Sequence, residues 1–158
     1  MSAMTMLGRN EDNRDQGSYR ELSETLMAVS GKPTEDARNL WKRMVFNALT
    51  GNVDDHLRNH GFLRSEKGWV LSPAYDLNPN PEKKTHALSF DGVSSTPSLN
   101  LCLSLFPYFR YGSETEARKE LERICEGVSR WKEIARDIGL EPREISRMEK
   151  AFLPLEGF

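Results

Sequence analysis

Cysteine is scarce in this 158-residue chain: Cys102 and Cys125 are the only two, far apart and each inside an apolar segment. They read as buried thiols of a reducing compartment, not as a disulfide framework. Long apolar runs are missing as well, since none approaches the roughly 20 residues that span a bilayer. The start, Met1-Ser2-Ala3-Met4-Thr5, has no basic region followed by an apolar stretch. A soluble, cytoplasmic protein with no membrane partner is expected. Neither sign of charge dominates: 22 Lys plus Arg stand against 24 Asp plus Glu, a formal charge of −2 without any block of like charge. Direct nucleic-acid contact is therefore not implied. There is no internal repeat, low-complexity tract or interdomain linker, so the chain reads as one domain, long enough to bury roughly 68–70% of its unfolded surface. Finally, Ser30-Gly31-Lys32-Pro33-Thr34 has no earlier glycine at the spacing of a phosphate-binding loop, which makes it a turn before a helix.

What is present is mostly helical periodicity. Residues 9–17 are polar and aperiodic, an expected exposed loop. Ser18 and Glu21 form a capping box ahead of a helix with Tyr19, Leu22, Leu26 and Val29 on one face, ending at Gly31. Thr34 is expected to cap a second helix, with Glu35 and Asp36 in its first turn. Its positions Leu40, Trp41, Met44, Val45, Ala48 and Leu49 make a broad buried stripe. That helix should end near Thr50-Gly51.

Two short strands around a polar turn are expected between Phe62 and Leu71, and one more short extended segment at 86–90. The run Leu99 to Phe106 alternates as a strand would. Leucine is a good helix former and the chain offers few strand partners, so a helix ending or kinking at Pro107 is expected. Ser113 and Glu116 make a second capping box for a long helix, broken at most once, with Ala117, Leu121, Ile124, Val128, Trp131, Ile134 and Ala135 on one face. Pro142 opens a last short helix bearing Ile145, Met148 and Phe152, which Pro154 stops.

The chemistry gathers in Gly51-Asn52-Val53-Asp54-Asp55-His56-Leu57-Arg58-Asn59-His60-Gly61. Asp54, four residues and Asn59 are followed, after the hairpin, by Asp76 in Ser72-Pro73-Ala74-Tyr75-Asp76. Protein kinases use this spacing: one carboxylate accepts the substrate hydroxyl proton, while an amide oxygen and a second carboxylate hold magnesium on the transferring phosphoryl group.

The string from Met44-Val45-Phe46-Asn47 through Asn52–Asn59 to Tyr75-Asp76 strongly resembles the carboxy-terminal region of HipA-like serine/threonine kinases, the toxin half of bacterial toxin–antitoxin pairs. Ser2–Gly8, Ser18-Tyr19 and the spacing of Trp69 before Tyr75-Asp76 resemble it too, so most of the chain is covered. The resemblance implies a mainly α fold, the helical C-terminal lobe of a protein-kinase-like architecture with a small β-hairpin. It makes Asp54 the base, Asn59 and Asp76 the magnesium ligands, and Arg58 a cation beside the phosphates, with Asp55 and His56 orienting the loop. His60 and His86 are taken as structural. Tyr75 and Leu77 flank Asp76 where ordinary kinases have Asp-Phe-Gly, so the usual Phe-driven switch does not carry over.

Kinases also need a phosphate loop and a nucleotide-fixing lysine on an upstream strand. Lys32 and Lys42 lack strand context. The chain therefore reads as the C-terminal lobe by itself, expected to be weakly active or inactive alone and to reach full affinity for ATP and Mg2+ only with the missing lobe. The implied partners are that N-terminal lobe or an antitoxin-like protein; the protein substrate is not readable. Such a lobe should show a concave apolar surface beside Asp54 and Asp76. Two readings stand beside it. Asp54, Asp55, His56, His60 and Asp76 could ligate a hydrolytic metal, or the chain could be a catalytically silent remnant that binds a partner.

Overall fold

The computed structural model describes residues 1–13 and 16–154; Arg14 and Asp15 of the expected 9–17 loop lie outside the described residues. The architecture is mainly α with one two-stranded antiparallel hairpin. Its centre is α3 (Pro33–Thr50), preceded by a short α1 (Ala3–Met6) and by α2 (Tyr19–Val29). Leu40, Trp41, Met44, Val45, Ala48 and Leu49 are all 0% exposed, as the stripe predicted. Full burial of each large side chain in that stripe is worth about 1.5–3 kcal/mol. These residues make α3 the rigid post against which α2, α4 (Leu99–Ser104) and α5 (Glu114–Ser129) pack.

Caps explain the element boundaries. The Ser18, Ser98 and Ser113 hydroxyls each accept from the main-chain N–H three residues on. Neither expected capping box closes reciprocally, because Glu21 pairs with Arg9 at 2.8 Å and Glu116 accepts from the Gly112 amide at 2.8 Å. Thr34 does not cap α3. Lys32 holds that position without a side-chain bond, and Pro33 opens the helix where its missing N–H costs nothing. At the other end Gly51 stops α3 in the left-handed region, φ 65°, with its N–H on the Asn47 carbonyl.

Strands β1 (Phe62–Ser65) and β2 (Gly68–Leu71) pair Phe62 with Leu71 and Arg64 with Trp69. Asp36, in the first turn of α3, anchors the hairpin by accepting from the Leu71 amide at 3.1 Å and the Ser30 hydroxyl at 2.6 Å. The 86–90 segment is not a strand. Its one ladder contact is an isolated bridge between Ser18 and Ser89, while the Ala87 and Leu88 amides donate instead to the loop that follows α3.

The run of alternating leucines is helical, as expected: α4 ends at Ser104 and Pro107 falls in a 3-10 turn at Phe106–Phe109. Trp41 Nε1 donates to the Cys102 carbonyl at 2.9 Å and fixes α4 to the core. The long C-terminal helix breaks at Arg130 into α5 and α6 (Trp131–Asp137). The break turns Ile134 outward, 50% exposed, so the expected single face does not run through it. The last helix, α7 (Pro142–Met148), ends before the predicted stop and passes through a 3-10 turn at Glu149–Ala151, beyond which Phe152 stacks on Trp131 at 4.1 Å. Both cysteines are free, Cys102 buried and Cys125 half-buried. Among the described residues no helix is long and apolar enough to cross a membrane.

Candidate functional site

The loop leaving α3 is exposed at its tip yet held along its backbone. Three successive carbonyls accept hydrogen bonds: Val53 from the Ala87 amide at 2.8 Å, Asp54 from Asn59 Nδ2 at 3.2 Å, and Asp55 from the Leu88 amide at 3.2 Å. With the backbone fixed on both sides, Asp54 turns its side chain to solvent while Asp55 turns inward, only 2% exposed. A carboxylate on a pinned backbone suits a proton acceptor, which needs reach and a fixed direction together.

Asn59 is 5% exposed. A carbonyl can only accept, so the end of its amide that faces the Asp54 carbonyl is the NH2. Its Oδ1 therefore points away, and among the described residues nothing donates to it. This leaves an oriented oxygen with the chemistry to bind a hard cation.

The segment carrying Asp76 is stitched to the same loop. Asn52 Oδ1 accepts from the Asn78 amide at 3.3 Å, and its Nδ2 donates to Asn47 Oδ1 at 3.2 Å and to the Asp76 carbonyl at 3.5 Å. Asn80 N–H reaches the Gly51 carbonyl at 2.9 Å, and the Tyr75 hydroxyl donates to the Arg58 carbonyl at 2.6 Å. Asp76 itself is exposed and left-handed, φ 58°, one of two non-glycine residues with positive φ among those described. Such backbone strain costs about 1–3 kcal/mol and persists where surrounding structure over-determines it. Here Asn52 and Asn78 do so, the latter also donating from Nδ2 to Asp76 Oδ1 at 2.6 Å.

Beneath the loop lies a buried polar cluster. Asp55 Oδ2 accepts from the Tyr19 hydroxyl, from Asn47 Nδ2 at 2.9 Å and from His60 Nε2 at 3.0 Å. Arg43 can only donate, so His60 Nδ1, 3.4 Å from Arg43 Nη1, accepts, and the ring proton sits on Nε2 facing Asp55. Burial would raise the Asp55 carboxyl, but the His60 ring and the bonds from His60, Tyr19 and Asn47 more than offset it and hold it below the ordinary carboxylate range. Burial, then the Asp55 charge, push the Tyr19 hydroxyl well above its usual range, so it stays a donor.

The cluster decides several sequence expectations. His60, expected to be structural, is 0% exposed with both ring nitrogens engaged, so it cannot serve as a ligand of a hydrolytic metal. Asp55 points into the same interior. The hydrolase reading thus loses two of its five named ligands, and among the described residues no three His, Cys, Asp or Glu side chains converge as a metal site. His56 is buried with Nδ1 unpartnered among the described groups, and Arg58 is exposed and paired with Glu11 at 3.1 Å. Tyr19, Arg43, Asn47 and Asn52 were not foreseen as site residues. The available signal was Asn47 and Arg43 standing polar among the buried apolar residues of α3.

A protein-bound Mg2+ keeps several waters and takes one or two carboxylates plus substrate phosphates. Asn59 Oδ1 and the Asp76 carboxylate are hard oxygens of that kind, on loops tied together, so the residues present fit the ion. The surface around them is open: Tyr75 and Leu77 beside Asp76 are 44% and 38% exposed. A depression of about 300 Å³ opens at Leu77, lined by Phe46, Ala74 and Ile124 on its apolar side and by Asn39, Lys42, Arg43 and Arg123 on its polar side.

A Sinorhizobium fredii protein named "Putative kinase Y4mE" is 33% identical over 60 residues, 38% of this chain and 14% of that protein. A second from the same organism, "Putative kinase Y4dM", is 38% identical over 64 residues, 40% of this chain and 15% of that protein. A Haemophilus influenzae "Putative kinase" is 29% identical over 75 residues, 45% and 22% of the two chains. The matched stretches thus cover less than a quarter of these relatives. The fold is that of a HipA chain solved as the Shewanella oneidensis MR-1 toxin–antitoxin complex of HipA, HipB and operator DNA, with a TM-score of 0.66 at 21% identity, covering 90% of this chain and 36% of that one. The sequence pattern of the HipA-like C-terminal domain matches residues 1–152, the whole span from α1 through both loops to Phe152, and the chain belongs to that family.

Proposed function

We propose that this chain is the metal- and acceptor-handling lobe of a serine/threonine protein kinase, transferring the γ-phosphoryl group of ATP to a protein hydroxyl. The observation that carries the reading is the oriented Asn59 carboxamide, bonded to the main chain of Asp54 while the Asp76 segment is tied to the same loop through Asn52. In the proposed reaction the Asp54 carboxylate takes the acceptor hydroxyl proton as the new oxygen–phosphorus bond forms. The bond to the β–γ bridging oxygen breaks and ADP leaves. Asn59 Oδ1 and Asp76 would hold Mg2+, which neutralises charge on the transferring group when bound. Arg58 lies on the exposed side of the loop, where exchange of its Glu11 partner for a phosphate oxygen is a surface event of small energy.

The nucleotide-fixing lysine and phosphate loop are assigned to sequence outside these 158 residues, in the same polypeptide or a partner. The chain spans 36% of the HipA chain it superposes on, and the antitoxin-like partner is proposed by analogy with HipB in that complex. Weak binding of ATP with a divalent ion by the isolated chain follows. Mn2+, a paramagnetic stand-in, added with ATP should broaden the NMR signals of residues 54–59 and 76–78 and leave those of α6 and α7 sharp. Broadening that is absent at millimolar ATP, or that survives Asn59→Ala with Asp76→Ala, would overturn the assignment. Robust autophosphorylation by the isolated chain, lost in Asp54→Asn, would show that no further lobe is required.

A further inference from the structure

The buried cluster under the loop is more polar than packing requires. Tyr19, Asp55, His60 and Asn47 are all 2% exposed or less, and Arg43 is 9% exposed. Taking charged groups out of water costs several kcal/mol each, and apolar groups of the same volume are often as stable or more so. A cluster of this kind is thus poor support for stability. What it supplies is direction, because hydrogen bonds fix angles that apolar contacts leave free.

The connections run to one atom. Tyr19, at the first turn of α2, is 36 residues from Asp55 in sequence, and its hydroxyl donates to Asp55 Oδ2 while accepting from Asn47 Nδ2 at 3.0 Å. The Tyr19 ring is edge-on to His60, with centroids 5.7 Å apart, and 5.8 Å from Phe90. The Tyr19 amide donates to Ser89 O at 3.0 Å, and the neighbouring Leu88 amide holds the Asp55 carbonyl. Gly17 closes the same wall, for a Cβ there would meet Leu57 Cδ2 at 2.8 Å. The start of α2 and the 86–90 segment together form the back of the loop.

We propose that Tyr19 is a positioning residue: through Asp55 its hydroxyl sets the direction in which Asp54 and Asn59 face. The proposal rests on the phosphotransfer reading for its purpose, but not for its geometry. Asp55 with its side chain clamped inward leaves Asp54 one outward orientation, and the Asp54 carbonyl then fixes the Asn59 amide. His60 and Arg43 complete the clamp from α3 and the hairpin side, where Arg43 Nη2 also donates to the Ser72 carbonyl at 2.8 Å. The groups facing Tyr19 thus come from α3, the loop and the 86–90 segment, so the clamp ties these three to α2.

Tyr19→Phe removes one oxygen and keeps both ring contacts. Amide exchange in the 158-residue chain should become about tenfold faster at residues 53–59, the scale expected from losing a buried hydrogen bond to a charged group, while α3 and α5 keep their protection. Half-saturation of the Mn2+·ATP broadening at Asn59 should move about tenfold higher in ATP, while the thermal midpoint falls by about 3–6 °C, the shift that the same lost bond produces in a chain of this size. Asp55→Asn, which keeps shape and loses charge, should reproduce both effects. Unchanged exchange at 53–59 in Tyr19→Phe, or acceleration spread equally through α3, would overturn the proposal. If wild type shows no Mn2+·ATP broadening, the phosphotransfer reading fails, and faster exchange confined to 53–59 would still support the clamp.

Discussion

A Cβ added to Gly51 would lie 2.2 Å from the carbonyl oxygen of Ala151, so the C-terminal turn closes directly over the end of α3. The adjoining Leu153 amide donates to the Leu49 carbonyl at 2.9 Å, giving a donor to one of the carbonyls left unpaired at the end of the helix. Two constraints meet at this glycine, a left-handed φ and contact with backbone that cannot rotate away. Gly51→Ala should cost about 3 kcal/mol or more, combining the left-handed penalty with displacement of the turn. Chemical denaturation of the two proteins measures it; a difference within about 0.5 kcal/mol, the range of ordinary surface changes, would contradict the close approach.

Asn52 joins α3, the loop and the Asp76 segment through a side chain only 1% exposed. Asn52→Ala strands Asn47 Oδ1 and the Asn78 N–H together, at an expected cost of about 2–3 kcal/mol. Because the bridge also positions Asp76, Mn2+·ATP broadening at 76–78 should weaken in the same variant. Stability loss without any change at 76–78 would mean that the two loops are coupled by other contacts.

Asp76 should separate conformation from charge. Asn tolerates the left-handed region nearly as well, so Asp76→Asn is expected to keep stability within about 0.5 kcal/mol. The β-branched Asp76→Val should lose about 1–2 kcal/mol. Both should lose divalent-ion binding with ATP. Retention of Mn2+·ATP broadening in Asp76→Asn would remove this carboxylate from the metal set.

His86 gives a pH signature. It is 3% exposed, neither ring nitrogen has a partner among the described groups, and burial lowers its pKa from 6.5 to about 4. The folded state therefore resists protonation that the unfolded state accepts, and stability falls as pH drops from about 6.5 toward 4. The loss is on the order of 3 kcal/mol at the acid end. Denaturation midpoints measured from pH 7 to pH 4 should fall less steeply in His86→Leu than in wild type. Parallel curves would place the His86 ring in water.

Much of this fold was written in periodicity. The α3 stripe could be read at once because six apolar residues recur at helical spacing, and the hairpin because a polar turn separates Phe62-Leu63 from Trp69-Val70-Leu71. Thr34 misled because Pro33 just before it is the better helix opener, and a proline at N1 moves the cap back to Lys32. Residues 86–90 read as extended, but their main-chain donors are shared out: Ala87 and Leu88 bond the loop after α3, His86 and Phe90 bond Ser95 and Ser94, and Ser89 alone enters a bridge, through the Gly17 carbonyl. In the site, the spacing of Asp54, Asn59 and Asp76 was visible along the chain, whereas the clamp was not. Tyr19 read as one more apolar position on α2, and only the folded chain brings it to a carboxylate 36 residues away. Asn47 and Arg43 broke an apolar pattern, which marks a buried polar partner without saying which one.

The tryptophans divide the molecule into optical reporters. Trp41 is fully enclosed beside Tyr111, ring centroids 4.9 Å apart, whereas Trp69 and Trp131 are half-buried on the hairpin and on α6. Emission from a chain keeping only Trp41 would follow the helical centre alone, blue-shifted until that centre opens. A chain keeping only Trp131 would follow the Phe152 stack at the far end, so fraying there and loss of the interior would be seen as two separate colours of signal.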